Sequence, residues 1–297
     1  WLKPFGLNFS FSGAPPATQA STSLAVMAAP SSDIKAKVDA WCKDLPKDRD
    51  ISNPEQPKMI MDLADEIVAA VGSSETSIAD LKAMTFPTSK DWPVMFLTAI
   101  LAAESALKLK ECPPHHHTIV HAMYGEHNRI KTKAESEDGQ DFVRVKVASM
   151  NWLYGKYAAE GSSWNYIAVD DGCPNDPPSG KLMEAVIAAE GYSNVEVAYI
   201  QTAIDQQIPP FNQLKTTKDS RKGGSILYGL YLAAQMKPGK QHVSSYYDAD
   251  LSADLALVGL LTHPILVNGK KMGVGQRYGC PGSFLALPEG ANGHPGS

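Results

Sequence analysis

The chain has 297 residues, 43% of them hydrophobic and 20% charged, with a formal net charge of −5. This is the make-up of a folded globular protein with room for one large domain or two smaller ones. The acidic balance argues against nucleic acid as a main partner, and the longest apolar stretch, 93–103, is too short for a transmembrane helix of about 20 residues.

Residues 1–32 form a leader in which Lys3 is the only charged residue, rich in Ala, Ser, Thr and Pro. Two readings stand for it. One is an organelle transit region or its remnant, which places the protein in a plastid; the other is a plain flexible leader, with a cytoplasmic location. The start at Trp1 reads as processed or trimmed. Asn8-Phe9-Ser10 matches a glycosylation sequon, a pattern short enough to arise by chance. Cys42, Cys112, Cys173 and Cys280 form no C-x-x-C pair and read as free thiols in a reducing compartment.

Residues 33–112 read as an all-helical module. Ser32-Asp33 can cap a helix running to about Leu45. Residues 59–71 carry apolar side chains at helical spacing. Ser77 is followed three residues later by Asp80 and opens a short helix through Met84. Residues 92–109 form a longer apolar helix that ends beside Lys108 and Lys110, favourable at a helix C-terminus. Nothing in this module suggests chemistry, so it reads as a docking or packing unit. Cys112-Pro113-Pro114 marks its boundary.

From 113 to 287 the pattern alternates between strand and helix. Strands are predicted at 118–123, 166–169, 195–200, 242–247 and 271–274, and helices at 141–154, 180–190, 224–235 and 252–261. That alternation predicts an α/β fold, a mostly parallel sheet flanked by helices. Residues 288–297 read as a Gly/Pro tail. The run His115-His116-His117 does not read as a zinc site, because successive strand residues point to opposite faces.

The candidate functional residues fall where strands end, which is where open α/β sheets bind ligands. After the first strand comes Met123-Tyr124-Gly125-Glu126-His127-Asn128-Arg129. The second strand ends in Val169-Asp170-Asp171-Gly172. A basic, glycine-rich stretch, Ser220-Arg221-Lys222-Gly223-Gly224, reads as a loop opening a helix. Its glycines would let backbone approach an anion, and the helix N-terminus and lysine would add positive potential. The fourth strand leads into Tyr247-Asp248-Ala249-Asp250. Two carboxylates one residue apart can hold one hard divalent cation, and that cation a diphosphate. Asp254 reads as a cap or a solvent-facing acid.

Strand-DDG, loop-KGG-helix and strand-DAD, in that order and spacing over roughly 115–285, resemble the nucleotide-sugar-binding half of the family-two, GT-A-type glycosyltransferases. The resemblance implies a Rossmann-like GT-A fold and a nucleotide-diphospho-sugar donor. It also implies Mg²⁺ or Mn²⁺ on Asp248 and Asp250, and transfer by direct displacement with inversion. It implies Glu126 near the nucleotide, Asp170 on the base with Asp171 completing the turn, and Arg221, Lys222 and Gly223 at the phosphates. Arg277, in Gly275-Gln276-Arg277-Tyr278-Gly279, would face the diphosphate.

Only 47 residues follow Asp250, and they carry no acidic pair of the kind that supplies the family's acceptor-side base. Either the protein continues beyond them or the chain is a donor half without an acceptor half. Three functions follow. The first is a metal-dependent glycosyltransferase. The second is a non-catalytic, glycosyltransferase-like structural or linker subunit of a larger complex, such as a plastid photosynthetic assembly. Its protein partners would be met through the leader and the helical module. The third is a protein that binds or hydrolyses nucleotide sugars.

Overall fold

A computed structural model describes residues 32–72 and 77–275. The leader up to Ser31, Arg277, Cys280 and the tail lie outside those residues.

Four helices come first: α1 (Ser32–Cys42), α2 (Glu55–Gly72), α3 (Ile78–Thr85) and α4 (Val94–Lys110). The start of α3 is fixed locally. Ser77 accepts from the Asp80 N–H, and the Asp80 carboxylate accepts from the Ser77 N–H, a reciprocal capping box. Then follow β1 (His115–Met123), α5 (Phe142–Lys156), β2 (Ser163–Asp170), α6 (Ser179–Glu190), β3 (Val195–Tyr199), α7 (Ile200–Asp205), α8 (Thr217–Gln235), β4 (Gln241–Tyr246) and α9 (Gly259–Leu266).

The four strands form one parallel sheet in the order β3-β2-β1-β4. The fold is therefore α/β, as the alternation predicts. The order reverses between β1 and β4, because β2 and β3 build outward on one side of β1 and β4 returns to the other. That reversal leaves a crevice at the carboxyl ends of the strands.

The strands' alternation separates two apolar layers. Val120, Ile167 and Val169 face α7 and α8 with Ile200, Ile204, Phe211 and Tyr228. Ile119, Met123, Tyr166 and Ala168 face the other way, into a core that runs on through α5 to Ile60, Ile67, Phe96 and Ile100 of α2 and α4. The N-terminal helices thus share one continuous core with the sheet. A buried ion pair adds to this join, with Arg49 donating to Asp254 at 3.0 Å, both side chains under a tenth exposed. Asp254 also caps the turn at Leu255–Leu257, accepting from the Ala256 N–H. The helix α8 lies tight on the sheet because Gly229 has no side chain. A Cβ there would meet Val120 Cγ1 at 2.3 Å.

The histidines of β1 divide by face. His115 and His117 both bond to the Tyr154 hydroxyl, while His116 bonds Ser163 and Asn165 on the opposite side.

Three expectations are corrected. Residues 271–274 form no strand. They are irregular, with Met272 and Val274 exposed, because two lysines and the flanking glycines offer little side chain to bury. The helix expected from Ser252 starts instead at Gly259, since Asp254 sets a separate 3₁₀ turn first. The expected loop at 220–224 is a break inside a longer helix. α8 begins at Thr217, with Asp219 accepting from the Thr216 N–H, and interrupts at Arg221.

Candidate functional site

A cleft of about 590 Å³ opens at the carboxyl ends of β1, β2 and β4. Its size is within the usual range for small-molecule sites. Its walls come from four separate stretches of chain. The segment after β1 supplies Tyr124, Glu126 and Arg129; the turn after β2 supplies Asp171 and Gly172; the start of α8 supplies Thr217, Lys218, Arg221 and Lys222; the segment after β4 supplies Asp248, Ala249 and Asp250.

Most of the residues singled out in the sequence therefore meet in one place. Glu126, Asp171, Arg221, Lys222, Asp248 and Asp250 all line the cleft. Asp170 and Gly223 do not. Asp170 is 2% exposed. One of its oxygens accepts from the Gly172 and Cys173 N–H groups, and the other from the Gly180 N–H at the start of α6. It builds the loop on which Asp171 stands. Gly223 sits in the exposed first turn after the break in α8.

The turn at Gly172 needs glycine for two reasons. Its φ is +74°, and a Cβ would meet Thr217 Oγ1 at 2.3 Å. The close approach brings the β2 turn against the start of α8, so the acidic turn and the basic segment share a wall. Arg221 itself is held at φ 52°, ψ −179°, a strained backbone for a residue with a side chain. That break turns the chain between the two pieces of α8 and leaves Arg221 and Lys222 at the cleft.

Charges in the cleft are matched by the chain's own groups. Lys222 donates to Asp248 Oδ1. Arg129 donates to Glu126 at 2.9 Å. Asp171 accepts from the Ser225 hydroxyl at 2.6 Å, and burial pushes its carboxyl above the usual range. Asp250 accepts from the Ser252 N–H at 3.1 Å. Asp248 and Asp250 lie just past the end of β4, on the irregular segment, and both reach the same cleft.

A hard divalent cation fits this donor set in one form. Mg²⁺ commonly takes one or two carboxylates and fills its other positions with water and substrate phosphate. Among the described residues there is no cluster of three or more metal-ligating side chains. Two carboxylates lining a cleft that also carries Lys218, Arg221 and Lys222 suit a metal that arrives with a phosphate ligand. Lys222 would have to leave Asp248 for it.

Two residues beneath the cleft were not anticipated. Lys146 of α5 is 1% exposed and donates to the backbone carbonyl of Asp248 at 3.0 Å. Burial pushes its ammonium down to about 8, against the pull of Asp250, Asp254, Asp248 and Glu126. His121 of β1 is fully buried, bonds the Tyr166 hydroxyl through Nδ1, and has no hydrogen-bond partner at Nε2. A signal for Lys146 existed. It interrupts the apolar face Phe142, Val143, Val147, Met150 and Leu153, where a charge has no reason to be unless it has a partner.

Comparison with protein families, curated proteins and solved structures finds no match to this chain. Among the described residues, no helix is long and apolar enough to cross a membrane.

Proposed function

We propose that the cleft binds a nucleotide-diphospho-sugar together with Mg²⁺ or Mn²⁺, and that the protein is a glycosyltransferase of the GT-A type. One observation carries the reading. Motifs spread from Glu126 to Asp250 converge on a single cleft at the point where the strand order reverses.

The chemistry follows from the charged residues of the cleft. Lys218, Arg221, Lys222 and Arg129 give positive potential for a diphosphate. Asp248 and Asp250 would hold the metal, which when bound neutralises charge on the leaving diphosphate. Exposed Tyr124 stands at the mouth. In transfer, an acceptor oxygen forms a bond to the sugar's anomeric carbon as the bond from that carbon to the phosphate oxygen breaks. The nucleoside diphosphate leaves with the electron pair. The acceptor's proton must go to a base. Asp50, Glu137 and Asp138 line an adjoining hollow that shares Arg129 with the cleft.

A second reading has one observation in its favour. Asp248 is engaged by Lys222 and Glu126 by Arg129, so these charges of the cleft are paired within the chain itself. That suits a glycosyltransferase-like fold kept as a structural subunit, the reading that carries a plastid location with it.

Titration calorimetry with uridine and guanosine diphosphate sugars, with and without Mn²⁺, separates the two. The enzyme reading expects metal-dependent binding that Asp250→Ala abolishes. No binding under any condition refutes it and leaves the structural subunit.

A further inference from the structure

We infer that Lys146 is a positioning residue of the cleft, a buried fixed cation that holds the Asp248-Ala249-Asp250 segment from below and sets the balance between cation and anion binding. The inference rests on the reading that the cleft takes a divalent cation and a diphosphate.

Lys146 is the only lysine among the described residues that is buried. It lies on α5 among Val143, Val147 and Met150, where a methionine of similar length would pack without burying a charge. Taking an ammonium out of water is costly unless it is compensated. The compensation here comes from the cleft. Its Nζ donates to the Asp248 carbonyl, and Asp248, Asp250, Asp254 and Glu126 are within electrostatic reach. Three of these carboxylates have another cationic partner, namely Lys222 for Asp248, Arg49 for Asp254 and Arg129 for Glu126. Lys146 contributes a further charge that is locked in place from inside the fold. The neighbouring His121 adds no competing charge, because burial, with Lys146 and Lys222 nearby, keeps its imidazole neutral.

A fixed positive charge under the metal-binding segment acts in opposite senses on the two parts of the ligand. It repels a divalent cation and attracts a diphosphate. A residue that only shaped the segment would favour or disfavour both together.

The test is Lys146→Met in the full chain at pH 6.5, with folding checked by circular dichroism and thermal melting. Mn²⁺ alone is titrated by electron paramagnetic resonance, and inorganic pyrophosphate alone by calorimetry. The expected result is Mn²⁺ binding at least about fivefold tighter and pyrophosphate at least about fivefold weaker than in wild type. Both ligands weakening together, or neither changing, overturns the inference while the nucleotide-sugar reading stands. A wild-type protein that binds neither probe overturns both. If the variant does not fold, nitrogen-15 resonances of lysine side chains in the wild type decide. One solvent-protected ammonium that shifts on adding Mg²⁺ supports the inference, and its absence overturns it.

Discussion

Acid should unfold this protein earlier than its carboxylates alone would dictate, because β1 buries neutral histidines. His117 is fully buried, and burial, followed by the nearby His115, His116 and His242, pushes its imidazole down to about 3 from 6.5. Burial, with Lys146 and Lys222 beside it, puts His121 well below its ordinary value. Below pH 6.5 the unfolded chain takes up these two protons and the folded chain does not, so stability is present above pH 6.5 and is lost as pH falls toward 3. His117 costs about 1.4 kcal/mol per pH unit in that window. Between pH 6.5 and 5.0 His117 alone removes about 2 kcal/mol, a sizeable part of a typical stability of about 5–15 kcal/mol, and His121 acts in the same direction.

The carboxylates act elsewhere. Asp80 and Asp219 are held low by hydrogen bonds from Ser77 and Thr216, so their loss comes below pH 4. Burial raises Asp141 and Asp171, whose folded forms take up protons first and slightly oppose the trend. Urea titrations followed by circular dichroism at pH 7.5, 6.0 and 5.0 measure the effect. The midpoint should fall by about 1 M or more between the extremes. A midpoint flat to pH 5.0, falling only below pH 4, would refute the claim that these imidazoles are kept neutral.

Two substitutions probe the frame around the cleft. Arg49→Met leaves Asp254 buried without its guanidinium and should cost about 3–5 kcal/mol, whereas Arg49→Met with Asp254→Asn, which keeps a capping oxygen for the Ala256 N–H, should recover most of that loss; chemical denaturation reads both. Arg221→Gly relaxes the strained backbone and should raise stability by up to about 1 kcal/mol, while weakening pyrophosphate binding by removing a cation from the cleft. Loss of stability with unchanged binding would show that the break in α8 is not strained.

Much of the fold was legible because its elements carry local signals. β1 and β2 are runs of β-prone residues with turn residues after them, and α2 repeats its apolar residues at helical spacing. The Ser77 and Asp80 pair marks the start of α3. The turn of α8 before Arg221 was hidden because Asp219 and Ser220 favour caps over helix interiors and Gly223 and Gly224 read as loop, so a helix was expected only from Gly224. What breaks the helix is the backbone at one residue, not a glycine or proline. The Arg49 and Asp254 pair was invisible for a different reason. It joins residues 205 apart in sequence, and no local pattern encodes that meeting.

The site shows the same division. Glu126, Asp171, Lys222, Asp248 and Asp250 could be found because strand ends and turn residues point to a ligand edge. The resemblance put Asp170 on the ligand and Asp171 in the turn, and the fold exchanges them. Only the fold shows that Asp170 spends both oxygens on backbone N–H groups while its neighbour faces the cleft. Lys222 was read as a phosphate ligand, and in the structure it is paired with Asp248. Ligand binding on the proposed scheme is therefore an exchange, in which Lys222 moves from carboxylate to phosphate as the metal takes its place.

That exchange is open to direct observation. Crystals of the protein soaked with uridine diphosphate and Mn²⁺, with data collected at the manganese absorption edge, would locate the metal without assumptions about the ligand. An anomalous peak between Asp248 and Asp250 is expected, with Lys222 turned from Asp248 onto the diphosphate. Full ligand concentration with no peak there and the Lys222 and Asp248 pair intact would contradict it.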